Sequence, residues 1–418
     1  MTRLFGPRDI TVIGSEIVSL YIALFLQKEG HRVTFISKKS INEIITQKNA
    51  GIIDPYFCIP EYLSYSLSKI FWSVFDPALY NSFQWNFIPY FFNWINQTKK
   101  NKKKKKLNYI LLSLHELLSR SIHTYDTLFQ TYPRLQSLVD QKGHILAYKD
   151  QTKVNQYFAY ISQKKLNTSN LEIIDKENIK HILPELASIF DFCLFLPKTY
   201  HVINNYNFIQ NIFDMFQNIG GKFINDTVIK FDIGVLGPKK IITPTTYIDC
   251  DTVVIGDGID TKNLCNQLNY FPNIFTQKEY NITFHNSSIE LALPISIPEL
   301  GLHAVSNDNG FMLTGGYEWS SFNTVPNFRR AHTLLKIGKK IFPNLEISNR
   351  SDHCDINIFT EDLLPIISNS SYHRNVFFAF AHGSLGLTLA PVTAQLITDL
   401  IADRDPGFDI NPYHIDRF

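Results

Sequence analysis

The chain has 418 residues, 44% hydrophobic and 19% charged, with Lys plus Arg at 40 against Asp plus Glu at 38, a formal net charge of +2. That length and composition describe an ordinary globular protein of two domains or one large α/β body. Seven lysines sit in one tract, Lys99 to Lys106, leaving 33 basic against 38 acidic groups, a balance of −5 that excludes a nucleic-acid-binding body, which needs a basic face.

The five cysteines, Cys58, Cys193, Cys250, Cys265 and Cys354, form no C-x-x-C pair and no metal-ligand spacing, so a reduced cytosolic setting without a metal is expected. The N-terminus runs almost directly into a core strand, with no basic region and cleavage site of a signal peptide. No run reaches the ~18 uninterrupted apolar residues of a spanning helix.

Asp9 to Ser37 is the first informative stretch. Ile10 to Ile13 reads as a buried strand, Gly14 as a tight turn, Ile17 to Leu26 as a helix stopped by Gly30, and Val33 to Ile36 as a second strand. This is the strand-turn-helix-strand unit of dinucleotide-binding sheets, whose turn carries G-x-G-x-x-G. Here the three positions are Gly14, Glu16 and Ser19. A carboxylate about 4 Å from a phosphate charge costs roughly 4 kcal/mol at an effective dielectric near 20, about a thousandfold in affinity. The acidic residue expected at the end of the second strand is Ser37, followed by Lys38 and Lys39.

Farther on, Ile70 to Ile95 is dense in Phe, Trp and Tyr and leads into the lysine tract. Two readings stand: a buried helical insertion, or an interfacial patch for an anionic bilayer. Leu107 to Leu128 has the period of a long amphipathic helix, Gly143 to Tyr148 of a strand, and Asp175 to Leu186 of a short capped helix. Asn207 to Ile219 is a helix ending at Gly220-Gly221, and Lys222 to Ile224 adds a parallel strand to the first sheet. Two hairpin-like strands precede Thr252 to Ile255, which runs into Gly256-Asp257-Gly258. Tyr280 to Phe328, including FHNSSIELALPI and GFMLTGGYEW, reads as successive antiparallel strands of a second domain, and Leu334 to Ile341 as a helix. Asn375 to Ile401 is a strand, a turn HGSLG and a helix whose first N–H groups suit an electron-rich ligand atom.

Read together, VIGSEIVSLYIALFLQKEGHRVTFI, KNAGII at 48 to 53, DTVVIGDGIDT at 251 to 261, EYNITF, TGGYEW, TEDLLPII and AHGSLGLTLAPVTAQLITDLI resemble the D-amino-acid oxidase superfamily of FAD-dependent oxidoreductases. The likeness is greatest to the small-subunit type of D-amino-acid dehydrogenase. It implies an α/β fold with an α+β second domain. A Rossmann-type FAD-binding domain would be assembled from residues 1–56, 197–270 and 344–418, and a helical insertion and antiparallel-sheet substrate domain from 57–196 and 271–343.

It further implies FAD as cofactor, an amine or amino-acid substrate losing hydride to the flavin, and a membrane electron acceptor. The location would be cytoplasmic, peripheral on the inner face of the membrane. Carried over by position, Gly14, Ser15, Glu16, Ile17, Ser37 and Lys38 would serve the dinucleotide, and Asn49, Ala50 and Gly51 would lie along the flavin. Val228 and Gly258 would flank the cofactor, and Gly383, Ser384, Leu385 and Gly386 would cap the pyrimidine end of its ring. Tyr280, Tyr317, Asn357 and His382 are the expected catalytic set, with Asn357 where the family has an arginine that clamps a substrate carboxylate. Ala381 replaces a glycine. These departures set a second expectation beside the enzyme: a member with weak or no flavin binding, acting as a structural component.

Overall fold

The computed structural model describes residues 6–46, 49–56, 82–83, 104–163, 171–182, 186, 188–321 and 324–418. The opening unit folds as β1 (Asp9–Ile13), α1 (Ile17–Lys28) and β2 (Arg32–Ser37). Helix α1 ends where Gly30 takes φ +84 and its N–H donates to Gln27 O at 2.9 Å, the left-handed conformation glycine adopts at least cost. Because α1 is apolar nearly all round, it must be covered on all sides. Its residues from Ile17 to Leu24 are all buried.

The cover comes from three helices, α2 (Lys104–Thr131), α3 (Asn205–Asn218) and α4 (Gly386–Ile401), with α2 packed on α4 and both α3 and α4 on α1. Under them lies a six-stranded sheet that adds β3 (Lys222–Asn225), β4 (Thr252–Gly256), β5 (Ile366–Asn369) and β6 (Val376–Phe380). Its order is β3-β2-β1-β4-β6-β5, parallel except for β5. The strand order therefore reverses between β1 and β4. In an open parallel sheet that is where a crevice opens beyond the carboxyl ends of the strands, and Gly14 and Gly256 mark those ends.

Helix α4 contains Pro391, which has no N–H for the Leu387 carbonyl one turn earlier. Tyr125 of α2 supplies the donor, its hydroxyl lying 2.6 Å from Leu387 O, and the Ser121 hydroxyl donates to Thr388 O beside it. By length and composition the stretch Gly383–Ile401 resembles a membrane span, but 72% of its apolar window is buried, so it serves here as a core helix.

A second, nine-stranded sheet stands against this body. Antiparallel strands Arg350–Thr360, Ile274–Phe284, Gly310–Ser320 and Leu302–Asn307 form one half. Ile295–Ile297 joins them to His144–Tyr148, Phe192–Leu196 and Glu172–Asp175. Helix Arg329–Ile341 packs on this sheet.

Two expectations change. The stretch FHNSSIELALPI is not one strand: between Phe284 and Ile295 the chain loops, with Ile289 N bonded to Ser287 Oγ and Leu291 N to Ser306 Oγ. Ile289, Leu291 and Leu293 pack against the second core, so the alternation is there without a ladder. Strand Arg350–Thr360, not anticipated, is 11 residues long and forms the sheet edge. The aromatic stretch from Ile70 to Ile95 lies outside the described residues except Ser82–Phe83, which pairs with Glu318 and Trp319.

Candidate functional site

The crevice beside Gly14 is open. It opens to solvent and is lined by Gly14, Ser15, Lys38, Val228, Gly258 and Asp260, among others. A β-carbon on Gly14 would lie 2.0 Å from Ser19 Oγ, and one on Gly256 would lie 2.2 Å from the same oxygen. Ser19 thus fills the space two glycines leave, and its small side chain lets α1 approach the sheet. Gly258 has nothing closer than 3.8 Å to an added β-carbon, so the opposite wall is clear.

Glu16 is not among the residues that line the crevice. Its carboxylate is 2.8 Å from Lys39 Nζ, both side chains being partly exposed. Burial works against the Lys39 charge, but Glu16, with Asp355 and Glu43 beyond it, raises the lysine above its ordinary value. The carboxylate expected to repel a diphosphate is therefore paired with the residue two places past the second strand. Ser37, in place of the ribose-binding carboxylate, is buried with its Oγ 3.2 Å from Ser15 Oγ. Lys38 is 3.3 Å from Asp260 at the mouth. Ile17 is buried in the core and contributes its backbone at the first turn of α1. Asp226 and Asp260 also line the crevice, Asp260 from the DTVVIGDGIDT stretch and Asp226 from the segment after β3, which has no motif of its own.

Toward the second sheet, Asn49 Oδ1 accepts from Gly51 N at 2.8 Å and Asn205 Nδ2 donates to Asn49 O at 2.9 Å, which braces the Asn49-Ala50-Gly51 loop. Gly51 has φ +66, and a β-carbon there would lie 2.8 Å from Val202 O. Across from it is the turn before α4, where Ala381 holds φ +64 and donates its N–H to Asp257 Oδ1 at 2.5 Å. For a residue with a β-carbon that conformation costs roughly 1–2 kcal/mol.

His382 is corrected by the structure. Its ring is buried, with Nδ1 2.7 Å from Asp257 Oδ2 and Nε2 3.0 Å from Thr393 Oγ1. Both nitrogens are engaged with the protein, so His382 braces the Gly256-Asp257-Gly258 turn against α4 and presents no free nitrogen to a ligand. Gly383, at φ +56, lies under the Phe359 ring, which stands 5.6 Å from that of Trp319. Ser384 is exposed, Leu385 is buried, and an added β-carbon on Gly386 would meet only Val18, at 3.9 Å.

The remaining expected catalytic residues divide between the two faces of the second sheet. A bulge between Lys278 and Tyr280 shifts the register, and such a bulge re-aims neighbouring side chains. Tyr280 is fully buried; its hydroxyl donates to Glu318 at 2.9 Å and accepts from Asn327 N at 2.6 Å. It therefore does not line a pocket. Tyr317 and Asn357 are partly exposed and converge on Glu279, a residue sequence reasoning missed: Tyr317 Oη is 3.3 Å from Oε1 and Asn357 Nδ2 is 3.0 Å from Oε2. Burial pushes the Glu279 carboxyl up to about 7, with Asp355 adding to the rise and the two hydrogen bonds opposing it.

Comparison with known proteins places these features. The family described as FAD dependent oxidoreductase, DAO, matches residues 9–400. A D-amino-acid oxidase from Bradyrhizobium diazoefficiens is 20% identical over 418 residues, covering 98% of this chain and 99% of that protein. A D-amino acid dehydrogenase from Agrobacterium fabrum is 22% identical over 434 residues, with the same coverage. Glycine oxidase from Geobacillus kaustophilus shares the fold, with a TM-score of 0.75, 16% identity and coverage of 99% and 100%.

Proposed function

This chain belongs to the FAD-dependent oxidoreductase family, and on that premise we propose that it catalyses oxidative deamination of an amino acid or related amine. The observation that carries the reading is the open crevice at the β1/β4 switch point with Glu16 drawn off by Lys39. Bound FAD supplies a two-electron acceptor for the hydride that leaves the amine-bearing carbon, giving an imine that water hydrolyses. The α1 terminus at Gly14, Ser15, Glu16 and Ile17 suits the diphosphate. Lys38, Val228 and Gly258 would line the adenosine side, with Ser37 behind them. Asn49, Ala50, Gly51 and Gly383 to Gly386 would border the ring.

Tyr317 and Asn357 would face the substrate. Asn357 offers a neutral amide in place of a bidentate cation, so carboxylate recognition is weaker than an arginine would give. The crevice excludes and orients; its residues need not form a covalent bond to the substrate.

Anaerobic mixing of the FAD-loaded protein with D- and L-amino acids and secondary amines tests the proposal. Bleaching of the flavin's visible band with release of an oxo acid is expected. A flavin that no member of that set reduces would overturn it. The same reading extends to a membrane electron acceptor and a cytoplasmic, peripheral location through the aromatic and lysine-rich stretches. Neutralising Lys102 to Lys106 should then release the protein from anionic vesicles, and equal retention would remove that extension.

A further inference from the structure

Glu279 ends a hydrogen-bonded chain that crosses the second sheet strand by strand. Tyr317 Oη lies 3.3 Å from Glu279 and 3.2 Å from His303 Nε2. His303 Nδ1 is 2.5 Å from Ser296 Oγ, and Ser296 Oγ is 2.7 Å from His144 Nε2. His144 Nδ1 has no hydrogen bond, and the carboxylate oxygen Asp54 Oδ2 faces it at an ion-pair distance of 3.7 Å. The five residues from His144 to Glu279 come from five adjacent strands, and Asn357 closes the row from a sixth. Asp54 lies back in the first body, its N–H directed to Thr388 of α4 at 3.3 Å.

Donor and acceptor capacity fixes how such a chain works. When Glu279 is ionised, Tyr317 donates to it. His303 Nε2–H then donates to Tyr317, Ser296 donates to His303 Nδ1, and His144 Nε2–H donates to Ser296, leaving His144 Nδ1 a bare lone pair. When Glu279 carries a proton on Oε1, every bond reverses and His144 Nδ1–H points toward Asp54. The charge at one end sets the ring tautomer at the other.

We propose that Glu279 accepts the proton of the substrate's ammonium group and that Tyr317, His303, Ser296 and His144 relay it to Asp54. The inference rests on the amine reading above. The N–H bond of the ammonium breaks and the Glu279 O–H bond forms, leaving a neutral amine competent to lose hydride, with no change of oxidation state in this step. Burial holds His303 down to about 4, which keeps it neutral and able to donate on one side and accept on the other. The charged group facing Glu279 is Asp355, itself paired with His353.

The test follows labelled glutamate carboxyl and histidine ring-nitrogen signals across pH in the flavin-free protein. In the natural sequence one carboxyl, absent from Glu279→Gln, should titrate near neutrality, and His303 and His144 should change tautomer with it. Ser296→Ala should leave His303 following and His144 fixed; Tyr317→Phe should uncouple both. A His144 tautomer that ignores the Glu279 titration in the natural sequence, or still follows it in Ser296→Ala, overturns the relay. In turnover, Glu279→Gln should lower kcat/KM for an ammonium substrate about a hundredfold at neutral pH and remove the acidic limb of its pH profile. Amine-driven bleaching with an unchanged profile in Glu279→Gln would refute Glu279 as acceptor while leaving the amine reading intact. Absence of bleaching by any amine would refute that reading, and the ring signals would still decide the relay.

Discussion

At the scale of single residues, the account turns on Glu16 and Lys39. The sequence places a carboxylate where a diphosphate should lie, and the structure answers it with a lysine 2.8 Å away. Removing that lysine should expose the problem. Lys39→Met is expected to weaken FAD binding roughly tenfold, since the pair is partly solvent-screened. Glu16→Gln in the same chain should restore it; equilibrium titration of the single and double variants checks this, and additive losses would mean Glu16 never faces the diphosphate. The positions of Gly14, Ser15, Lys38 and Gly258 in the cleft were legible because a strand-turn-helix pattern fixes backbone geometry. The pairing of Glu16 with Lys39 was not, because it depends on how the chain leaves β2. Tyr280 and Tyr317 were indistinguishable in sequence, and a bulge, which carries no period of its own, sends one inward and the other to the open face.

At the scale of elements, helix α4 keeps a proline because a neighbour compensates for it. Tyr125→Phe should leave the buried Leu387 carbonyl without a partner at a cost of about 1–3 kcal/mol. In a Pro391→Ala background the restored N–H reaches that carbonyl, so the cost of Tyr125→Phe should shrink. Urea unfolding of the four proteins measures it, and an equal cost in both backgrounds would refute the coupling. The long helices and the parallel strands could be read from periodicity alone. The loop from 285 to 294 could not, because its alternating Ile289, Leu291 and Leu293 bury the same face that a strand would. Strand Arg350–Thr360 was hidden by its polar first half, an edge that needs no hydrophobic alternation.

At the scale of the whole molecule, two bodies meet where the nucleotide sheet's crevice approaches the second sheet, and Lys39 senses Asp355 across that meeting. Acid should weaken the assembly through His201. Burial pushes it from 6.5 down to about 4, with His144 and Lys142 adding to the fall and Asp140 opposing it. The unfolded chain takes up this proton below pH 6.5 while the folded one resists until about 4. The stability is therefore complete above 6.5 and lost as pH falls through that window, by roughly 3 kcal/mol at most. His201→Gln should flatten this part of the acid unfolding curve; an unchanged slope would show that His201 does not carry it. Glu279 works in the opposite sense, since its raised value adds stability that is complete below 4.5 and fades as pH rises through about 7.

The central claim is that the crevice beside Gly14 takes a flavin dinucleotide. Equilibrium titration of the folded, flavin-free protein with FAD, followed by flavin fluorescence and competed with ADP, tests it most directly. The account predicts saturation at one FAD per chain and displacement by ADP from the adenosine side. A protein folded by circular dichroism that shows no saturable uptake of FAD would contradict it.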